Sequence, residues 1–137
     1  MLFRSKPLWK ILWRLKLPAK VKIFVWRACV NGLPTRDKVC SQGISSSSEC
    51  PICGRDSENV HHVLLHCDFA NRVWDCWSDM PHMILRYNWF FEDSALHFLA
   101  QKPSHDLKLF FTIAWAIWSN RNKVIHDELC SSPSQIW

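Results

Sequence analysis

At 137 residues, with 48% apolar side chains and nine tryptophans, the chain can close one packed core and is too short for a polymerase or for two large domains. Its seven cysteines are odd in number and follow no regular framework, and no secretory signal precedes them. That predicts reduced thiols in an intracellular protein of the nucleus or cytoplasm, not secreted. The net charge of +5 is lopsided: residues 1–38 hold ten Lys/Arg against one acid, Asp37, for +9, which leaves −4 on residues 39–137. A positive end on a slightly acidic body predicts a polyanionic partner met from one side. The longest apolar run, Leu109 to Trp118, falls well short of the roughly 20 residues a membrane helix needs, so no membrane partner is expected; nor is a small-molecule substrate.

Leu8 to Leu15 reads as a short amphipathic helix, with Leu8, Leu12 and Leu15 together and Trp9 beside Trp13. Pro18 cannot continue that helix but suits the first turn of a second one, over about residues 18–31. There Val21, Phe24 or Val25, and Ala28 face inward, Lys20, Lys22 and Arg27 lie nearer the outside, and Gly32 is the expected left-handed cap. Thr35 is a good N-cap for a third helix of about two turns, with Asp37 favourable in its first turn and Gly43 as its stop. Ser45 to Ser48 reads as an exposed, flexible join. Asp68 to about Asp79 reads as a helix with Phe69, Val73 and Trp77 on one stripe, ended by Met80-Pro81-His82. The aromatic run Trp89-Phe90-Phe91 must pack somewhere, and Asp93 to Ala100 fits a short helix. Ser104 then caps a long helix over about 105–127. It is apolar nearly all round from Leu109 to Trp118, as a central buried helix is, and its last turns, Arg121 to Asp127, are polar. The expected fold is mainly α, a small helical domain with an embedded CCHC module between Cys50 and Cys67. Its segments are 1–44, 45–79 and 80–137, forming one compact domain.

The stretch from Cys50 to Cys67 carries the chemistry. A thiol pair with two residues between them, then a histidine and a third thiol, is the layout of a four-coordinate zinc site. Zinc takes thiolate sulfur and imidazole nitrogen tetrahedrally, and four such ligands leave no position for water or substrate, which marks a structural metal. The best assignment is Cys50, Cys53, His62 and Cys67, spaced C-x2-C-x8-H-x4-C, with His61 and His66 as rival donors. Gly54 is free to take a positive φ just past the second thiol. Asn59 can cap a short helix whose third residue is His62, and Asp68 can cap the next. Cys67 then lies at the break between the two. A break is needed, because residues five apart on one ideal helix point about 140° apart. The bland alternative is a set of unrelated core thiols and surface histidines.

These residues carry a resemblance. Cys50-Pro-Ile-Cys53-Gly54, followed by His62-Val-Leu-Leu-His66-Cys67-Asp-Phe-Ala-Asn-Arg-Val-Trp74, resembles the zinc-binding domain of plant reverse transcriptases. That domain occurs in non-LTR retrotransposons and proteins derived from them. Trp9-Lys-Ile-Leu-Trp13, Leu17-Pro-Ala-Lys-Val-Lys-Ile-Phe-Val-Trp26-Arg27 and Gly32-Leu-Pro-Thr-Arg-Asp37 extend the likeness, which covers about residues 8–77. Asp68 stands where that family often has proline, and His61 where it often has an acid. Ala114-Trp115-Ala-Ile-Trp118 and Arg121-Asn122-Lys123 resemble the segment leading into the ribonuclease H domain of such polyproteins. The resemblance implies one structural zinc and a place beside polymerase and ribonuclease H domains.

Enzyme readings lack their parts. A reverse transcriptase holds two metal ions on a paired-aspartate turn, and no Asp-Asp occurs here. Ribonuclease H chemistry needs clustered carboxylates around magnesium, and Glu92-Asp93 and Asp127-Glu128 read as solvated pairs. Three scattered glycines cannot form a phosphate loop. The expectation is a non-catalytic module contacting RNA or DNA through Lys16, Lys20, Lys22 and Arg27, with Trp9, Trp13 or Trp26 able to stack on unpaired bases. Aromatics at this spacing are also what a core uses, and outer basic residues can be mere solvated surface. A structural or protein-interaction module, and a retroelement relic without nucleic-acid binding, are the other two readings.

Overall fold

A computed structural model describes residues 6–44, 47–80, 90–101 and 104–126. Among them the chain forms α-helices and one π-helical turn and no β-strand, apart from an isolated antiparallel bridge between Glu49 and Ser57. Helix α1, Lys6–Arg14, buries Leu8 and Leu12, and Leu15, just past its end, is buried with them. The helix cannot run on through Pro18, which becomes the N-cap of α2, Ala19–Cys29, at φ −55°. Its carbonyl accepts from the amides of Val21 and Lys22. The inner face of α2 is Val21, Phe24, Val25 and Ala28, so both candidates at the middle position are buried.

The C-terminal cap of α2 differs from expectation. Asn31, at φ 56°, takes the left-handed position, not Gly32. The amide of Gly32 then reaches back to the Arg27 carbonyl at 2.6 Å and that of Asn31 to Ala28 at 3.4 Å, the paired bonds of a Schellman cap. Asparagine tolerates this conformation, so the turn falls one residue early. Helix α3, Arg36–Ser41, starts as expected: Thr35 Oγ1 accepts from the Lys38 amide at 3.4 Å. Gly43, at φ 75°, closes it with the same paired bonds, Gly43 to Cys40 and Ile44 to Val39, both 3.0 Å.

Ser45 and Ser46 lie outside the described residues. Ser48 is no loose join: its carbonyl accepts from the Glu58 amide at 2.8 Å, and its hydroxyl pairs with that of Ser57 at 3.0 Å. After the metal-binding stretch, α4 runs Asp68–Asp75, shorter than the expected reach to Asp79. Its buried stripe is Ala70, Val73 and Trp74, with Phe69 only half-buried. Trp77 is buried but outside the helix, in a turn made by its amide on the Trp74 carbonyl. That turn lets Trp77 stack on Phe98 at 5.5 Å. Pro81, His82 and Trp89 lie outside the described residues.

Helix α5, Phe91–Gln101, is longer than the expected Asp93–Ala100, and α6, Ser104–Ile125, is the central helix. It packs against α2, α5 and the π-helical turn and buries Leu107, Phe110, Phe111, Ile113, Ala114, Ile117 and Trp118. Phe110 is the hub of an aromatic core, stacked on Trp74 at 5.2 Å, Phe91 at 5.3 Å and Phe98 at 4.6 Å. Such contacts add about 0.5–1.5 kcal/mol each beyond burial. The run Trp89-Phe90-Phe91 divides: Phe91 joins this core, and Phe90 stays 53% exposed. No helix of the described residues is long and apolar enough to cross a membrane.

Candidate metal centre

Cys50 and Cys53 sit on a knuckle that its own backbone closes. The Cys50 amide donates to the Asp56 carbonyl and the Gly54 amide to the Cys50 carbonyl, both at 2.8 Å. Gly54, at φ 67°, makes the turn just past the second thiol, as its place in the sequence requires. His62 and Cys67 come from the other side. Asn59 Oδ1 accepts from the His62 amide at 2.8 Å, the N-cap bond expected of it. The chain then widens into a π-helical turn, His62–His66, closed by the Cys67 amide on the His62 carbonyl at 2.7 Å. A π turn bonds residue i to i+5, which returns residues five apart to nearly the same face. Cys67 is extended, at φ −62° and ψ 144°, and is itself the N-cap of α4, where Asp68 was expected. Asp68 instead occupies the first turn, favourable for an acid, and pairs with Arg55. The break at Cys67 leaves the Leu64 carbonyl to the buried indole of Trp74, whose Nε1 donates to it at 2.8 Å.

The ligand atoms of Cys50, Cys53, His62 and Cys67 all lie within 4.8 Å of one another. Cys53 Sγ is 3.5 Å from His62 Nε2. With Zn–S of about 2.3 Å and Zn–N of about 2.0–2.1 Å, a tetrahedral S···N edge is about 3.5 Å. The donor set therefore fits zinc in chemistry and in size. His61 and His66 are not in the cluster; their rings lie 6.1 Å apart, with His61 also against Phe90 at 4.9 Å.

The four groups share protons. A hydrogen bond to Cys67, and then burial, pushes the Cys50 thiol up to about 12. The same contact holds Cys67 below the usual thiol range, against burial. Burial raises Cys53, but the backbone amides of Asp56 and Arg55 and the His62 ring outweigh it, and its net shift is downward. His62 is raised to about 8, first by its hydrogen bond with Cys50. Burial, then the neighbouring His66 and His62, lowers His61. Among these, Cys50, Cys53, His62 and Cys67 alone converge, and a dication is what displaces protons from such a group.

Comparison with known proteins agrees with this geometry. The family described as zinc-binding in reverse transcriptase matches residues 2–74, more than half of the chain. The chain belongs to that family. A protein of Arabidopsis thaliana provisionally named as a ribonuclease H protein is 29% identical over 63 residues, which are 46% of this chain and 10% of that protein. The chain thus spans a small part of the relative it matches. No solved structure matches. As a member of the reverse-transcriptase zinc-binding family, the protein takes one structural zinc, and the cluster of three thiols and one imidazole lies within metal-binding distance.

One residue pair at the edge of this module has no local sequence signal. Glu58, fully buried, receives Arg121 Nε on Oε2 at 2.9 Å and Arg121 Nη2 on Oε1 at 2.6 Å. Its Oε1 also accepts from the Arg36 amide at 2.7 Å, capping α3 from outside, and its carbonyl accepts from the Asp37 amide at 2.9 Å. Arg121 Nη2 donates to the Pro34 carbonyl at 3.3 Å, and its guanidinium covers Trp118 at 4.5 Å. The expected polar end of α6 is thus partly interior: Asn120 and Arg121 are 3% and 5% exposed.

The basic candidates stand apart from the metal. Lys16, Lys20 and Arg27 are exposed and Lys22 is half-buried. Lys20 lies over the Trp115 ring at 4.7 Å. Lys22 Nζ donates to the Trp13 carbonyl at 3.1 Å, and Arg27 to the Gly32 carbonyl at 3.2 Å. Trp9 and Trp13 meet edge to face at 5.2 Å, and Trp9 meets the half-buried Trp26 at 6.4 Å.

Proposed function

We propose that this protein is a non-catalytic zinc-binding module of a retrotransposon-derived, reverse transcriptase-like protein, in the nucleus or cytoplasm. Cys50, Cys53, His62 and Cys67 hold the metal, and a basic N-terminal face contacts RNA or DNA through Lys16, Lys20, Lys22 and Arg27. The observation that carries the nucleic-acid part is the exposure of Trp9 and Trp13, at 37% and 39%, beside the exposed cations Lys10, Arg14 and Lys16. Indole rings flanked by cations suit a single strand, whose bases stack while its phosphates pair. The zinc, closed by four protein ligands, serves the fold and leaves no coordination position for substrate.

A second reading is favoured by the inward contacts of Lys20, Lys22 and Arg27 described above. Cations engaged on helix ends and an indole are less available to phosphate, which suits a module that docks on polymerase or ribonuclease H domains of a parent polyprotein. Binding of fluorescent single-stranded RNA and duplex DNA between about 50 and 200 mM salt separates the two. Four phosphate contacts give a log–log slope of about −3 to −4, and Lys16→Glu, at an exposed side chain, flattens it. No affinity at the lower salt leaves the docking reading.

A further inference from the structure

A cavity of about 370 Å³ opens where the C-terminal end of α2, the start of α3, the chain before the π-helical turn and the start of α5 meet. Its size is within the range of small-ligand sites. Ala28 and Phe91 contribute apolar surface, and His61 and Phe90 stand together at the wall, ring centroids 4.9 Å apart. Two carboxylates line it from different elements: Asp37 of α3, which is exposed, and Glu92 of α5, at 2% exposure. Asn31 and Asn59 also line it. Asn59 already uses Oδ1 on the His62 amide, so its remaining polar group is a donor.

Two carboxylates and two rings suit either a cation or a flat base with adjacent donors. The flanking charges decide between them. Lys38 Nζ donates to the Asn31 carbonyl at 2.9 Å, and the Arg27 guanidinium to the carbonyl of the next residue, Gly32, at 3.2 Å. Cations beside the lining residues disfavour a cationic ligand and can receive a phosphate. Among the bases, guanine presents N1–H and the 2-amino group side by side, matched to the two oxygens of one carboxylate. Adenine and cytosine put an acceptor beside their donor, and uracil sets its one N–H between two acceptors. Unpaired bases are read on these edges while their faces lie on aromatic rings, histidine included.

We propose that this cavity takes an unpaired guanine base of a single-stranded nucleic acid, through the carboxylates of Asp37 and Glu92 and the rings of His61 and Phe90. The inference rests on the nucleic-acid reading above and adds base preference to a face that otherwise meets phosphates alike in every sequence.

The test uses the zinc-loaded full chain and uridine octamers in which one central position is U, A, G or inosine, followed by fluorescence anisotropy. The G octamer binds roughly 5- to 150-fold tighter than the U or A octamer, the worth of one good bidentate base contact, and inosine, lacking the 2-amino group, loses most of that gain. Asp37→Asn or Glu92→Gln levels the octamers, with zinc content unchanged. Equal binding of all four octamers by the unmodified protein overturns the inference while leaving phosphate contact intact. A guanine preference that survives in both variants also overturns it, as does displacement of the G octamer by arginine amide as readily as by guanosine monophosphate. Binding of no octamer removes the nucleic-acid reading itself.

Discussion

Arg121 of α6 and Glu58 of the zinc knuckle form a two-armed ion pair at 2.6 and 2.9 Å, with side chains 6% and 0% exposed. Glu58 lies between Ser57, bridged to Glu49 beside Cys50, and Asn59, which caps the turn bearing His62. Through Arg36 and Asp37 it also holds the start of α3. One carboxylate therefore joins three parts of the chain: the N-terminal helices, the metal knuckle and the C-terminal helix.

Removing one member of a buried pair strands the other charge, at about 3–5 kcal/mol. Arg121→Ala is expected to lower stability by that amount in urea melts of the zinc-loaded protein. It should also raise hydrogen exchange in both α6 and the knuckle. Loss confined to α6, or a cost within about 0.5 kcal/mol as at an ordinary surface site, would contradict the linkage.

The aromatic hub makes α6 core rather than an accessory helix. Ile113→Ala and Ile117→Ala, at 4% and 2% exposure, should each cost ~2–5 kcal/mol, and Phe110→Ala ~3–5 kcal/mol, through lost burial and a cavity. Thermal melts of the three variants check this. Parent-like melting in all of them would make α6 peripheral to the zinc-bearing half.

Metal uptake should tighten as pH rises. Cys50 at about 12 and His62 at about 8 both hold protons at pH 7, and both must release them to ligate zinc. The free protein binds more protons than the zinc form, so affinity falls as pH falls. Below pH 8 both groups contribute; above it His62 is already neutral and its share disappears. Calorimetry in buffers of different ionisation enthalpy should count fewer protons released at pH 9 than at pH 7, the His62 proton among those lost. Constant release across that range would be against this proton assignment.

On the proposed nucleic-acid face, rings and cations should act separately. Trp9→Ala and Trp13→Ala should weaken single-strand binding by about 1–3 kcal/mol per lost stack and leave the salt slope alone. Lys16→Glu should lower the slope by roughly 0.7 per contact on a single strand. Salt titrations of the three variants read both terms. A tryptophan change that alters the slope and not the affinity at fixed salt would contradict the division.

Local signals were the legible ones. Thr35 and Asn59 were readable as caps because a cap and its amide lie three residues apart, and the stripe Leu8–Leu12–Leu15 because burial follows the helical period. The cap at Asn31 went unread because asparagine and the glycine after it can both serve a left-handed turn. The break at Cys67 was readable, but not that Cys67 itself would cap α4, since the π-helical turn imposes its extended backbone. Glu58 and Arg121 are 63 residues apart, and neither has a neighbour in sequence that foretells burial. That Cys50, Cys53, His62 and Cys67 come together was legible because a thiol pair followed by a histidine and a third thiol is a recurring layout of donors for a tetrahedral metal.

Native mass spectrometry of the full chain, with Cys53→Ser, His62→Ala, His61→Ala and His66→Ala beside the parent, tests the central claim most directly. One zinc per parent chain is expected, retained in His61→Ala and His66→Ala and lost in Cys53→Ser and His62→Ala. Chelation should remove structure from the knuckle and π-helical turn, since zinc binding in small modules is worth on the order of 10 kcal/mol. Stoichiometric zinc in Cys53→Ser, or retention in His62→Ala with loss in His61→Ala or His66→Ala, would contradict the assignment.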